Sequence, residues 1–239
     1  MKIKGVSFDF WSTLFVLTDE KKTWLVVKER MLKIFSEYGI SLEGEKLLDC
    51  FREAMAICLD KQENHGLEFD PEEQLQYILA RLGIKFNKEM FESLYLAYTT
   101  TLLDVPPKLM DGAVQVINEL AGLFSLALIC NTGRTPGKVI RQLMKRNGIF
   151  EQFEVVHFSN ELGIAKPNPE IFRKTLAKLN LSAQEVVHIG DNPLTDVWGA
   201  KSVGMRAIWF NWRKEEKQVD CDLEIDSLWG LKDKILNLA

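Results

Sequence analysis

Four stretches of this sequence carry charged or hydrogen-bonding side chains directly after an apolar run. "VSFDFWSTLF" delivers Asp9, with Trp11, Ser12 and Thr13 behind it. "SLALICNTG" ends on Cys130, Asn131 and Thr132 before Gly133. "GIAKPNPEIF" presents Lys166, pinned by Pro167, and "VVHIGDNPLTD" delivers Asp191 and then Asp196. A carboxylate at such a position can attack an electrophile, and a second carboxylate beside it adds only repulsion unless a cation lies between them. Hard oxygen ligands suit Mg²⁺, which takes one or two carboxylates together with phosphate and water. Lys166 supplies positive charge for anionic oxygens, while Thr132 and backbone N–H groups supply donors. The set reads as a phosphoryl-transfer site whose substrate is a small phosphorylated molecule.

For these residues to meet, the runs that precede them must be neighbouring strands. After Leu109 apolar runs alternate with amphipathic stretches: helix "GAVQVINELAG", strand "SLALIC", helix "PGKVIRQLMKRNG", strand "EVVHF", helix "PEIFRKTLAKL", strand "VVHIGD", helix "PLTDVWGAKSVG", strand "RAIWF". Continuous apolar strands, each followed by a helix, predict a parallel α/β sheet covered on both faces. In such sheets ligands bind at the carboxyl ends of the strands. The first strand, "IKGVSFDF", belongs in the same sheet, with residues 16–108 inserted behind it. That insert is helical throughout. Trp24, Val27, Met31, Ile34, Phe35 and Tyr38 recur at three- and four-residue steps, as do Leu47, Leu48, Phe51, Met55 and Cys58. A third helix has Asp70 as N-cap and Pro71 at its first position and stops at Gly83; a fourth opens at Asn87 and ends before the linker Pro106–Pro107. A crossover of roughly 90 residues is too long for a βαβ unit, so the insert is expected to form a subdomain of its own.

In order and spacing, Asp9-Phe-Trp-Ser-Thr13, "ICNTG", Lys166-Pro167 and "GDNPLTD" resemble the four motifs of the haloacid dehalogenase superfamily. The resemblance implies a Rossmann-like, doubly wound parallel core (1–15 and 109–239) with an all-helical cap (16–108). It further implies an aspartyl-enzyme intermediate on Asp9 and Mg²⁺ held by Asp9, Asp191 and the main-chain carbonyl of Trp11. Lys166 and Asp196 complete the catalytic set, Asp196 either capping its helix or orienting Lys166 or a metal-bound water. Two departures stand out. Phosphatases of the superfamily usually carry a second Asp two residues after the nucleophile, to protonate the leaving group and then activate water. Trp11 can do neither, though its carbonyl still offers a metal ligand. Cys130 stands where Ser or Thr usually holds the phosphate, so that hydrogen bond falls to Asn131 or Thr132. An aromatic at position 11 also resembles the metal-free 2-haloacid dehalogenases, which lack the acidic pair. Retention of both Asp191 and Asp196 favours a Mg²⁺-dependent phosphatase over a dehalogenase, and the full set of charged residues favours either over a protein that only binds phosphorylated ligands or partners.

The rest of the sequence narrows the field. A net charge of −4 over 239 residues, with no basic cluster alternating with aromatics, argues against nucleic-acid binding. The N-terminus has no long apolar stretch, so neither a signal peptide nor a membrane span is expected, and the compartment expected is the cytoplasm. The four cysteines show no metal or disulfide spacing. His188, inside an apolar strand, reads as a satisfied core residue; His65 has no motif around it. The runs "TDEKK" and "RKEEK" read as solvated faces, and Trp209 and Trp212 as core packing, with Trp212 also a candidate subunit contact.

Overall fold

The computed structural model describes residues 2–238. Its elements in chain order are β1 (Gly5–Phe8), β2 (Phe15–Val16), α1 (Glu20–Glu37), α2 (Gly44–His65), α3 (Pro71–Arg81), α4 (Lys88–Thr99), β3 (Lys108–Leu109), α5 (Ala113–Ala121) and β4 (Ser125–Cys130). There follow α6 (Gly137–Arg146), β5 (Val155–Phe158), α7 (Ser159–Leu162), α8 (Pro169–Leu179), β6 (Val186–Gly190), α9 (Gly199–Ser202), β7 (Arg206–Phe210), β8 (Leu223–Ile225) and α10 (Leu231–Leu236). Six strands form one parallel sheet in the order β5-β4-β1-β6-β7-β8. The period-two alternation of strand side chains sorts the apolar runs between two cores. Val6, Phe8, Leu126, Leu128, Ile189 and Phe210 pack with α5, α6 and α10 on one face. Ala127, Ile129, Val186, Ala207 and Trp209 pack with α8 and α9 on the other. Full burial of a side chain such as Phe8 or Ile129 stabilises the sheet by about 1.5–3 kcal/mol.

Strand β1 lies at the centre, with Phe8 opposite Leu128 of β4 and Ile189 of β6. The chain proceeds from β1 to one side and returns to the other, so the ends of β4, β1 and β6 open into the crevice where the strand order reverses. This is the arrangement the alternating pattern predicts. Strand β8 was not expected: it is three residues long and lacks an apolar run. The stretch Pro193–Trp198, expected as α-helix, is a wide-turned helix in which the Val197 N–H reaches the Asn192 carbonyl at 3.3 Å. Such π-turns concentrate at functional sites, and here the widening lets Asp196 turn back under the strand end.

The inserted helices α1–α4 build a separate core around Val27, Met31, Phe35, Phe51, Leu75 and Leu94. Asp70 caps α3 in a closed box, accepting from the Glu72 and Glu73 N–H groups at 2.8 and 2.9 Å while Glu73 accepts from the Asp70 N–H. The two chain passages between this block and the sheet run side by side as an antiparallel ribbon, Phe15 opposite Leu109 and Val16 opposite Lys108. Among the described residues no helix is long and apolar enough to cross a membrane.

Candidate active site

Asp9 follows directly on β1, Asn131 on β4 and Asp191 on β6, and a cavity of about 290 Å³ opens over all three. Lys166, fully buried between β5 and α8, reaches the centre: its Nζ donates to Asp9 Oδ1 at 2.6 Å and to Asp196 Oδ1 at 2.5 Å. Asn131 fixes the lysine from behind, accepting from the Lys166 N–H and donating to the Lys166 carbonyl, both at 2.8 Å. Asp196 accepts two further bonds, from the Asn192 N–H at 2.9 Å and from His188 Nε2 at 3.2 Å. Since Asp196 only accepts, Nε2 of His188 carries the proton and Nδ1 accepts from the Ser7 hydroxyl at 2.8 Å. His188 is thus a buried strand residue, as expected, and also a support for Asp196. Gly190 permits this closeness, because a Cβ there would stand 2.2 Å from Asp196 Cγ.

Lys166 therefore divides its charge between two carboxylates in unlike surroundings. Burial pushes Asp196 up, but Lys166 and His188 outweigh it and hold that carboxyl well below the usual range. Asp9 has one side-chain donor among the described residues, Lys166. Burial, with repulsion from Asp196 and Asp191, outweighs Lys166 and raises it to about 7. Asp191 is raised to about 6 by burial and by Asp196, against the pull of Arg213. Burial disfavours the Lys166 ammonium, yet Asp196 and Asp9 keep it above its ordinary range. The result is one firmly ionised carboxylate, Asp196, and a less stabilised one, Asp9, held against a permanent cation.

Each of Asp9, Asp191 and Asp196 offers an oxygen within 4.8 Å of the others. Asp196 is saturated by its donors, but Asp9 Oδ2, Asp191 Oδ1 and the Trp11 carbonyl accept no hydrogen bond among the described residues. Two neighbouring carboxyls that resist ionisation, each with an uncommitted oxygen, fit a divalent cation, whose charge would relieve that resistance.

Thr132 and Asn131 are both in the cavity wall, but their side chains are engaged elsewhere. Asn131 holds Lys166, while Thr132 Oγ1 donates to Glu68 Oε2 at 3.2 Å and the Thr132 N–H donates to Ser159 Oγ at 2.8 Å. Among the groups left with hydrogens to offer an anion are the backbone N–H groups of Gly133, held at a φ of +54°, and Arg134, which donate to nothing among the described residues. Cys130 is sealed in the core, its thiol pushed well up by burial and by Asp9. His65 lies outside the cavity wall, exposed beside Asp60 at 3.6 Å.

Sequence reasoning missed several participants. Arg213, in a run expected to be solvated, reaches back to Asp191 Oδ2 at 2.8 Å and to Ser12 Oγ at 2.9 Å, steadying a serine held at a φ of +59° three residues after Asp9. Its guanidinium also covers Trp212, whose ring packs against the core. Glu68, in the loop before α3, is a buried carboxylate that crosses from the helical block to the sheet, accepting from Gln62 Nε2 and the Phe69 N–H at 2.9 Å and from the Ser159 and Thr132 hydroxyls. Burial raises it despite those four donors.

A glyceraldehyde 3-phosphate phosphatase of Pyrococcus abyssi is 31% identical over 219 residues, which are 89% of this chain and 83% of that protein. The crystal structure of a 2-haloacid dehalogenase from Pseudomonas syringae superposes with a TM-score of 0.71 at 23% identity, covering 99% of this chain and 100% of that one. A HAD phosphatase from Thermococcus onnurineus gives 0.67 at 22% identity, covering 98% of each. At such identities the two structures establish the fold alone. The family model for haloacid dehalogenase-like hydrolases matches residues 3–204, and with Asp9 and Asp191 at the ends of adjacent parallel strands and Lys166 buried between Asp9 and Asp196, the chain belongs to that family of enzymes.

Proposed function

We propose that this hydrolase is a Mg²⁺-dependent phosphatase of small molecules that works through a phosphorylated Asp9. The observation that carries the reading is Asp191. Without metal, a half-buried carboxyl beside Asp9 brings repulsion that its pairing with Arg213 does not cancel, since Asp191 stays raised to about 6, whereas Asp9 and Asp191, with the Trp11 carbonyl, would hold a hard cation. That cation would neutralise phosphoryl oxygens and the acidic pair. An Asp9 carboxylate oxygen forms the bond to phosphorus as the ester oxygen departs with the bonding electrons. Lys166 keeps Asp9 aligned and its Nζ charge faces the phosphoryl oxygens, with the Gly133 and Arg134 N–H groups as further donors. Water then attacks phosphorus, phosphate leaves and the Asp9 carboxylate is restored. The phosphatase named among the relatives, at 31% identity over most of the chain, supports the same chemistry. The cavity of about 290 Å³ sits at the small end of ligand pockets and suits a substrate of a few carbons.

Trp11, which lines the cavity where an acid would stand, favours a second reading: displacement of halide from a 2-halo acid, with water attacking the aspartyl ester. A panel of phosphate esters and 2-halo acids, each with and without Mg²⁺, separates the two. Metal-dependent phosphate release supports the phosphatase; halide release that persists in EDTA overturns it.

A further inference from the structure

Arg134 is the residue of this cavity that the chemistry above leaves without a side-chain task. It lies in the loop after β4, is 7% exposed, and forms no ion pair among the described residues. Its recorded hydrogen bond runs from Nη1 to the Tyr98 carbonyl at 2.8 Å. The guanidinium lies over the Trp24 ring, 4.6 Å from its centroid, and 6.0 Å from that of Tyr98. Aromatic faces and one carbonyl offset only part of the loss of hydration of a buried cation. Nε and Nη2 have no partner among the described residues, yet neither is among their sealed and orphaned side-chain atoms, which are Thr13 Oγ1 and Trp212 Nε1. These donors are therefore not sealed, in a residue that lines the cavity.

The other cations near the acidic cluster are spoken for. Lys166 is taken by Asp9 and Asp196, and Arg213 by Asp191. Glu20 of α1 and Glu63 of α2 also line the wall, both exposed. Glu20 accepts from Trp24 Nε1 at 3.3 Å; its charge reaches Arg134 without pairing to it. The guanidinium is held by Trp24 of α1 and Tyr98 of α4, and Trp24 lines the same cavity, so Arg134 belongs to the wall formed with the inserted helices, whereas Asp9, Lys166 and Asp196 pair with one another at the sheet.

We infer that Arg134 selects substrates bearing a second anionic group: phosphomonoesters whose leaving part carries a carboxylate, received by the two uncommitted donors of the guanidinium fork. The inference rests on the phosphomonoesterase reading. A planar carboxylate matches the fork, and the small cavity leaves room for a short carbon chain between it and the phosphoryl group. The purely structural role, a tie between the β4 loop and the end of α4 through the Tyr98 carbonyl, would affect all substrates alike.

The test compares 3-phosphoglycerate with glycerol 3-phosphate, which has a hydroxymethyl group in place of the carboxylate. Wild type should favour the acid in kcat/KM by about 10- to 100-fold, the usual range for a charge-assisted pair. Arg134→Met should bring that ratio close to one, Arg134→Lys should keep part of it, and Glu20→Gln should keep or raise it. An equal loss on both esters in Arg134→Met, or a wild-type ratio near one, overturns the inference, and the latter holds even if the variant does not fold. Calorimetric titration with 3-phosphonopropionate and propylphosphonate repeats the comparison without turnover. If neither alkyl ester is hydrolysed, release of phosphate from an aryl phosphate with Mg²⁺ decides the phosphatase reading; a preference for the phosphonopropionate that Arg134→Met abolishes would still sustain the anion-binding role, and its absence would end it.

Discussion

Asp9→Asn should stabilise the metal-free protein, and should do so more at high pH than at low. Burial and its acidic neighbours raise the Asp9 carboxyl from 3.8 to about 7, so between those pH values the folded protein holds a proton that the unfolded chain has released. Wild-type stability from this group is therefore fully present below the unfolded value and is lost as pH rises through about 7. At 1.36 kcal/mol per unit the whole window amounts to roughly 4 kcal/mol, of which about 2–3 kcal/mol falls between pH 5 and pH 8. Asparagine does not ionise, and its Oδ1 can still accept from Lys166 Nζ, which stays paired with Asp196. Urea unfolding in EDTA of both proteins at the two pH values gives the answer. The advantage of the variant should grow by about 2–3 kcal/mol at the higher pH. A difference that is constant or shrinks would show that the nucleophile is not held against its own ionisation, and the reasoning would be refuted.

Lys166→Met should abolish turnover and destabilise by about 3–5 kcal/mol at neutral pH, because Asp9 and Asp196 lose the buried cation they share; thermal melts should recover part of the loss in acid. Trp11→Asp should accelerate hydrolysis of alkyl phosphates far more than of aryl phosphates, a restored general acid contributing about 10²–10⁴-fold where the leaving group is poor. Efficient wild-type hydrolysis of alkyl esters with little dependence on leaving-group pKa would show instead that another group, such as Glu20 or Glu63 of the cavity wall, gives the proton. Glu68 is raised by burial, so its contribution to stability is present below the ordinary carboxyl pKa and lost as pH rises; Glu68→Gln should gain on wild type from pH 4 to pH 8 in urea melts.

The strand ends could be read from the sequence because each lies next to its own apolar run. Asp9, Asn131 and Asp191 follow buried strands whose pairing is dictated by the parallel α/β pattern, and Lys166 is set by the loop before α8. The helical insert was legible for the same reason, from apolar residues at three- and four-residue spacing. What escaped depends on contacts across long stretches of chain. Glu68 meets Ser159 across 91 residues and only when the helices dock on the sheet, and nothing in "HGLEFD" signals a buried carboxylate. Arg213 joins Ser12 across 201 residues from within a run whose composition reads as solvent-facing. Thr132 has the type and position of a phosphate ligand, but Glu68 takes its hydroxyl. The wide turn at Pro193–Trp198 arises from the several bonds converging on Asp196, a constraint that helix propensity does not register.

The account rests on Asp9 attacking phosphorus, and a single turnover in ¹⁸O-labelled water tests this most directly. With an aryl phosphate and Mg²⁺, mass spectrometry of quenched enzyme should find the peptide containing Asp9 phosphorylated at early times. The label should then appear in the released phosphate and not in the Asp9 carboxylate, because water attacks phosphorus. Label in the Asp9 carboxylate after a turnover, or phosphate release with no phosphorylated peptide, would contradict the account.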